Sequence, residues 1–289
     1  MVSPQVTIEA LVGKTTDLPA MPEAALAVMR EADSPNGTAQ AVAAHISRDQ
    51  SLAARVLKLV NSPYYGLSGE VVDLPQAVVV LGMRCVRNLA VVAAAYPWLN
   101  KPLDGYHLKP GDLWEHSIAV SVGAHMVATQ SRVACPETSF TAGLLHDIGK
   151  CVLSVWLENR LDLALKLAIR DQIPFDKAER KVIGYDHQEV GAYLARVWGL
   201  PRVFEVGIAY HHDPDAQEEF RNVIDCVHVA DFLTMSAGYG LGGDGLCYSL
   251  NNASLDRLRL NGNEIDELFD RFVVQVAEYR KMIDLLNAA

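Results

Sequence analysis

Cysteine pairs and long apolar runs are scarce in this sequence, and both shortages exclude classes of protein. Its 289 residues include five cysteines, which are scattered and never form a Cys-x-x-Cys pair. We therefore expect reduced thiols, and neither a disulfide scaffold nor a catalytic thiol. The most apolar segment, LAVVAAAY at 89–96, is too short to cross a bilayer and runs into Pro97. We expect no membrane contact.

Clustered positive charge is also missing. The formal net charge is −10, and no run of Lys and Arg resembles the basic patches that neutralise a phosphate backbone. We therefore expect no nucleic-acid partner. The most basic stretch, DKAERKVIG at 176–184, carries its own acids and is interpreted as a solvated helix face. Since the first residues lack a basic start followed by a long apolar core, we expect a cytoplasmic protein.

Strand signals are nearly absent, whereas helical signals recur. Alternating apolar runs closed by hairpin turns do not occur. Thr38 and Asp49 precede stretches with helical apolar spacing and can cap them. The sequence therefore predicts an all-α protein. The helices predicted in its second part are 112–130, 137–157, 158–171, 176–197, 201–212 and 221–236.

Proline and glycine punctuate the chain between residues 97 and 111. Such residues are typical of loops, so we place a boundary between two helical lobes there. The predicted domains are an amino-terminal helical lobe (1–108), a second helical lobe (109–236), and a Gly-rich loop with a carboxy-terminal helix (237–289).

Histidine and aspartate recur along the second lobe in a pattern that favours metal binding. Asp112 and His116 are four residues apart and so share one helix face. Imidazole nitrogens and carboxylate oxygens are ligands for divalent Fe, Mn, Co, Ni and Zn. A carboxylate can bridge two ions, and a bound ion can convert water into a hydroxide nucleophile. The candidate ligands in chain order are Asp112, His116, His146, Asp147, His187, His211, His212 and Asp231, and this recurring order is a more specific signal than any one of these residues.

Each of these residues also has a plainer interpretation. A single histidine on an apolar helix is most often a packed core residue, and the set as a whole could be a polar cluster between helices. Asp112 could be present only to complement the helix dipole. Lys150 could meet a substrate phosphate or be a solvated lysine. His228 is interpreted as a packed histidine.

The order of these residues, with LLHDIGK at its centre, resembles the HD superfamily of metal-dependent phosphohydrolases. In two-metal relatives the aspartate of the His-Asp pair bridges the ions, which here is Asp147. Asp112 resembles the position where some relatives hold a further metal. The resemblance implies a first metal on His116, His146, Asp147 and Asp231, and a second site completed by His187, His211 and His212.

The amino-terminal half is similar to the HDOD family, a helical, HD-related output domain of bacterial signalling proteins. The similarity begins with LPAMPEAALAVM, ISRDQSLAARVLKLVNSPYYGL and LPQAVVVLGMRCVRNLAV. It continues through LWEHS, AGLLHDIGK, DHQEVGAYLARVWGLP and AYHHDP, and so covers roughly residues 15–235. Within it, NSPYYGL at 61–67 is either a capped turn with packing tyrosines or a partner-binding surface.

Two functions are compatible with these resemblances. The first is a signal-transduction module that binds metal and acts through signalling protein partners or a small phosphorylated ligand. The alternative is a metal-dependent phosphohydrolase in which Asp147 bridges the ions and Lys150 neutralises the phosphate. Cyclic-dinucleotide phosphodiesterases follow their paired histidines with a Gly-Tyr-Pro stretch. Here the paired histidines open HHDPDAQEEF, which lacks that stretch, so hydrolysis of cyclic di-GMP is disfavoured. The sequence favours no oligomeric state.

Overall fold

The computed structural model describes residues 7–13, 21–240, 242 and 248–287, without the side chains of 156–159, 161 and 283–287. Across these ranges the chain forms α-helices and short 3-10 turns, and its one strand-like pairing is an isolated bridge between Leu103 and Leu108. The predicted all-α class is confirmed. No helix in the described part of the chain is both long enough and apolar enough to span a bilayer.

The helices of the first part of the chain are short, apart from the last. In chain order they are α1 Ile8–Gly13, α2 Glu23–Asp33, α3 Ala39–Ser47, α4 Gln50–Val60, α5 Leu74–Leu81 and α6 Met83–Leu99. Thr38 and Asp49 cap α3 and α4 through side-chain hydrogen bonds to Ala41 N and Leu52 N, as predicted.

The remaining helices carry the His and Asp residues of interest. They are α7 Asp112–Ser131, α8 Pro136–Leu145, α9 Ile148–Asp171, α10 Phe175–Ile183, α11 His187–Val197, α12 Arg202–Tyr210, α13 Arg221–Ser236, α14 Asn252–Leu258 and α15 Gly262–Asn287. The turns Pro63–Tyr65, Asp104–Tyr106 and Pro214–Ala216 are 3-10 helices.

Two of the predicted helices are wrong in their limits. The predicted helix 137–157 is divided, because α8 ends at Leu145 and α9 begins at Ile148 and continues past 158. Asp147 leaves helical geometry between them, with φ −101° and ψ 10°. The predicted helix 176–197 is divided as well. Gly184 ends α10 with a φ of 95°, and Asp186 with Glu189 forms a capping box that starts α11.

The chain divides into two compact units, each of which joins segments distant in sequence. The first unit comprises residues 1–19 and 98–270, and the second comprises 20–97 and 271–289. The domain limits predicted from the sequence, 1–108, 109–236 and 237–289, stay a prediction.

The second unit has an apolar helical core in which α3 packs against α2, α4 and α5. The NSPYYGL stretch turns the chain at its edge. The Asn61 side chain bonds both the N–H and the carbonyl of Val71, at 2.7 and 2.8 Å. The Tyr64 ring packs edge-on against Tyr65 and Tyr279, with centroids 5.1 and 4.9 Å away. The stretch is therefore a turn with packing tyrosines, and its role as a partner surface stays a prediction.

The first unit brings several helices together at close range. In it, α7 packs against α8 and α13, α9 packs against α10 and α11, and α12 packs against α8, α11 and α13. Two glycines permit this approach. A methyl group at Gly143 would lie 2.9 Å from the Val120 carbonyl oxygen, and one at Gly149 would clash with the carbonyl oxygen of His187. The glycines on either side of the His-Asp pair therefore let α8 reach α7 and α9 reach α11.

Candidate metal centre

Five places in the first unit contribute His and Asp side chains to one buried cluster. They are α7, the α8–α9 junction, the start of α11, the end of α12, and α13. The Asp147 side chain makes no capping hydrogen bond to α9, so its carboxylate is available to the cluster. The members are His116, His146, Asp147, His187, His211, His212 and Asp231, all buried except His212, which is partly buried.

Asp147 lies between two sets of histidines, and each of its oxygens faces a different set. Oδ2 lies 3.4 Å from His146 Nε2 and 3.7 Å from His116 Nε2. Oδ1 lies 3.4 Å from His187 Nε2 and 3.8 Å from His211 Nε2. Ligating atoms come within 4.8 Å of one another in three groups: His116 with His146 and Asp231, His146 with Asp147 and His211, and His187 with His211 and His212.

Asp231 completes the set around His116. Its Oδ1 is 3.1 Å from His116 Nε2, and its Oδ2 is 3.7 Å from His212 Nδ1. The arrangement is the pattern in which two ions could be held side by side with Asp147 between them.

The histidine rings are fixed from behind by their Nδ1 atoms. His146 Nδ1 bonds the Gly143 carbonyl at 2.7 Å, and His211 Nδ1 bonds the Ile208 carbonyl at 2.9 Å. An Nδ1–H that donates to a carbonyl leaves the Nε2 lone pair directed into the cluster. His116 and His187 are held in the same way, by the Tyr239 carbonyl at 3.3 Å and the Glu179 carboxylate at 2.7 Å.

The buried atoms that face the cluster centre fit a metal ion. The Nε2 atoms of His146, His187 and His211 make no hydrogen bond among the described residues. A buried polar atom without a hydrogen bond costs about 1–3 kcal/mol, and an ion bound at these nitrogens would remove that cost. The donor set of imidazoles and carboxylates suits divalent transition metals.

The charges of the cluster are set by burial and by its own members. Burial raises the pKa of Asp147, but its interactions with His146 and Lys150 outweigh that effect and hold the pKa well below its usual range. Burial opposes ionisation of Asp231 too, yet the hydrogen bond and charge of His116 lower its pKa to about 2. Both carboxylates are therefore ionised at neutral pH, which is the form that binds metal.

The histidines of the second set differ from one another. Burial, followed by repulsion from neighbouring histidines, puts the pKa of His211 and of His212 well below the ordinary value. Burial also lowers the pKa of His187, but the charge and hydrogen bond of Glu179 outweigh it and raise it to about 9. A metal that binds His187 would therefore displace a proton at neutral pH.

Lys150 lies at the cluster and not in solvent. Its Nζ is 2.6 Å from Asp147 Oδ2, and the residue is buried. Asp112 lies in the first turn of α7, where its Oδ2 accepts the N–H of Lys109 at 2.7 Å. Asp112 is not among the grouped ligating side chains, and its role as a ligand stays a prediction.

An open cleft leads to one side of the cluster. It is lined by charged groups that include Asp147 and Lys150 and by apolar residues that include Leu113 and Met235. Tyr248 forms another part of the wall and stacks on His212, with ring centroids 4.1 Å apart and an interplanar angle of 15°.

The sequence interpretation missed the role of α10. The stretch DKAERKVIG was interpreted as a solvated face, but Asp176 and Glu179 are fully buried, so that interpretation is wrong for both acids. A signal was present in the sequence: Phe175, Ala178, Glu179 and Ile183 follow the spacing of one helix face. Glu179 belongs to the apolar face, and only its neighbours Lys177, Arg180 and Lys181 are exposed.

His228 is a packed histidine, as predicted. Its Nδ1 bonds the His211 carbonyl at 2.8 Å, and its Nε2 accepts the N–H of Asn251 at 3.0 Å. With both ring nitrogens used, His228 supports the backbone behind His211 and does not face the cluster.

The family model described as the HDOD domain matches residues 18–214. An uncharacterized protein of Treponema pallidum is 29% identical over 217 residues, which are 74% of this chain and 42% of that protein. Ribonuclease Y of Thermus thermophilus is 31% identical over 148 residues, 50% of this chain and 21% of that enzyme. The chain thus spans less than half the length of these relatives.

Solved structures with the same fold include an HDOD domain protein of unknown function from Geobacter sulfurreducens. It is 26% identical with a TM-score of 0.78, covering 94% of this chain and 95% of its own. A candidate signal transduction protein from Marinobacter aquaeolei is 25% identical, also with a TM-score of 0.78, covering 99% of this chain and 62% of its own. A candidate phosphohydrolase from Shewanella amazonensis, 23% identical with a TM-score of 0.71 over 96% and 97% of the two chains, shares the fold.

Proposed function

This chain belongs to the HDOD family, and on that premise we propose that it is a signal-transduction regulator that binds one or two divalent transition-metal ions. The observation that carries the proposal is Asp147, whose two oxygens face two separate histidine sets. The first ion would be held by His116, His146 and Asp231, and the second by His187, His211 and His212, with Asp147 between them.

The regulatory role is supported by what the cluster connects. Its ligands come from α7, α11, α12, α13 and the α8–α9 junction, which are separate segments of the chain. An ion bound to all of them would link these helices, and binding that occurs only in the folded arrangement stabilises it. Metal occupancy would thereby control the shape presented to a signalling protein partner. The similarity to the candidate signal transduction protein of Marinobacter aquaeolei supports this role.

A metal-dependent phosphohydrolase is the second candidate, and the open cleft favours it. When bound, a divalent ion would supply Lewis acidity and a water acidified toward hydroxide. Lys150 lies beside Asp147 and lines the cleft, where its ammonium could also hold a phosphate oxygen. The net charge of −10 supports a small phosphorylated ligand over a nucleic acid.

Elemental analysis of the purified chain tests both candidates. We expect one or two equivalents of a transition metal in the wild-type protein and almost none in the His146→Ala/Asp147→Ala double variant. Asp225→Asn is the matched control, because Asp225 is a fully buried carboxylate that accepts hydrogen bonds from Ser254 and Arg257. Wild-type protein without metal after reconstitution with Fe, Mn, Co, Ni and Zn would overturn both functions.

Turnover then separates the two candidates. Metal-loaded protein is incubated with a panel of nucleotides, phosphomonoesters and phosphodiesters, and phosphate release is measured. Hydrolysis that disappears in Asp147→Asn would support the enzyme. Metal binding without hydrolysis of any substrate in the panel would leave the regulatory function.

A further inference from the structure

Glu179 is a fully buried carboxylate that contacts His187 twice. Its Oε2 accepts the Nδ1–H of the His187 ring at 2.7 Å and the backbone N–H of the same residue at 3.0 Å. Glu179 lies on the inner face of α10, and His187 is the first residue of α11. The two contacts fix both the backbone and the ring of one predicted ligand.

The other oxygen of Glu179 is held by Tyr106. The Tyr106 hydroxyl, also buried, donates to Glu179 Oε1 at 2.6 Å. The carboxylate therefore receives three hydrogen bonds, from donors in the 3-10 turn Asp104–Tyr106 and at the start of α11. Three donors hold the Glu179 carboxylate in a single orientation. Because that carboxylate accepts the Nδ1–H of His187, it also fixes the orientation of the His187 ring.

We propose that Glu179 and Tyr106 form a positioning pair that directs the Nε2 of His187 toward the metal position on the Oδ1 side of Asp147. The inference rests on the proposed function, because it assigns to these residues a role in holding the second ion. Carboxylates that accept the far N–H of a metal-bound histidine fix its ring and increase its strength as a ligand.

The partner of His187 distinguishes it from the other anchored rings. His146 and His211 are anchored by neutral backbone carbonyls, whereas His187 is anchored by a charged carboxylate. The backbone needs of the α11 N-terminus are met by Asp186, which accepts from Glu189 N, and by Glu179, which accepts from His187 N, and neither of these contacts involves the imidazole ring. A structural role at the helix end therefore does not account for the contact with the ring.

The test is a metal titration of three variants that change one group each. Glu179→Gln retains the shape and removes the charge, and Tyr106→Phe removes only the hydroxyl. Asp225→Asn is the control for loss of a buried carboxylate elsewhere in the same unit. Metal-free protein is titrated with Co²⁺, and the visible spectrum and the number and affinity of bound equivalents are recorded together with thermal unfolding.

Two equivalents are expected in the wild type. In Glu179→Gln one equivalent should weaken roughly 10- to 100-fold with an altered Co²⁺ spectrum, while the other keeps its affinity. Tyr106→Phe should weaken the same equivalent less, and Asp225→Asn should leave both affinities unchanged even if it unfolds at a lower temperature.

The possible failures can be told apart. A wild type that binds no Co²⁺ overturns the proposed function, and this inference with it. A wild type that binds one or two equivalents, with unchanged affinity and spectrum in Glu179→Gln, overturns the positioning role alone. If Glu179→Gln does not fold, the positioning role is overturned when Tyr106→Phe binds Co²⁺ with the same affinity and spectrum as the wild type.

Discussion

The two compact units of this chain differ in what they bury. In the unit formed by residues 20–97 and 271–289, the buried polar side chains among the described residues are Ser62, Arg87 and Asn88. The other unit buries many ionisable side chains, among them His146, Asp147, Lys150, Glu179, Asp186, His187, His211, Asp225 and Asp231.

Burial of charge is unfavourable unless each group is paired. The unit of residues 1–19 and 98–270 therefore carries a free-energy cost of burying charge that the unit of residues 20–97 and 271–289 avoids. This cost is concentrated where a metal would bind. The comparison indicates that apolar packing stabilises the second unit, whereas the first also depends on the charges and ligands of its cluster.

The largest expected effect comes from removing a buried cation beside the cluster. In metal-free protein, Lys150→Met leaves Asp147 buried without its nearest ammonium. We expect the free energy of unfolding to fall by about 3 kcal/mol, the scale for breaking a buried ion pair. Denaturant unfolding in the presence of a chelator measures it.

Arg87→Met is the matched control in the second unit. Arg87 is buried and pairs with Asp33, but the Asp33 side chain is 39% exposed and keeps its contact with water when the arginine is lost. The expected change is about 1–2 kcal/mol, since a methionine fills much of the same volume but the buried Asn88 Oδ1 loses its hydrogen bonds from Arg87. Equal losses in the two variants would contradict the difference between the units.

A loss of unfolding free energy similar to that of Lys150→Met is expected where α9 meets α11. Gly149→Ala would place a methyl group against the His187 carbonyl oxygen and 2.7 Å from Gly191 N. We expect destabilisation of about 2–3 kcal/mol, since backbone on both sides prevents relief of the clash. Gly69→Ala is the control, because nothing lies within 4 Å of its added methyl group. The same denaturant assay measures both, and a neutral Gly149→Ala would show that the two helices can separate freely.

Metal addition should stabilise one unit locally. At a free metal concentration 100 times the Kd, binding contributes about 2.7 kcal/mol. We expect slower hydrogen exchange in α7, α9, α11 and α13 and little change in α3 and α4, which belong to the other unit. Mass spectrometry of peptides from metal-free and metal-loaded protein measures it. Equal slowing in both sets of helices would contradict a localised effect.

The sequence predicted the members of the cluster but not the turn that assembles it. The order and types of residues from His116 to Asp231 identified seven side chains that the structure brings together. The interruption of the helix at His146 and Asp147 was missed, because apolar residues continue on both sides of the pair with helical spacing. Only the tertiary contacts of α8 with α7 and of α9 with α11 make a change of direction favourable there.

Glu179 was missed for a different reason. Its immediate neighbours are charged, and local composition therefore suggested solvent. Its burial depends on partners 73 and 8 residues away, Tyr106 and His187. Contacts at that separation are not encoded in local patterns, although the apolar spacing around Glu179 indicates which face it occupies.

The last expected effect concerns pH in the metal-free protein. The folded state holds the pKa of His187 at about 9, above its ordinary 6.5, because Glu179 outweighs the lowering effect of burial. A raised pKa means that the folded state keeps a proton that the unfolded chain releases. The stabilisation is therefore complete below pH 6.5 and is lost as the pH rises through about 9.

Glu179→Gln removes the main cause of the raised His187 pKa, so the stability of this variant should decline less over this pH range. We expect the advantage of the wild type over Glu179→Gln to shrink between pH 6 and pH 9, because the folded wild-type protein loses the extra proton of His187 in this range. Denaturant unfolding with a chelator at several pH values measures it. Arg87→Met should follow the wild type, since Arg87 belongs to the other unit. A constant difference between the wild type and Glu179→Gln would mean that the charge of Glu179 does not hold the proton on His187.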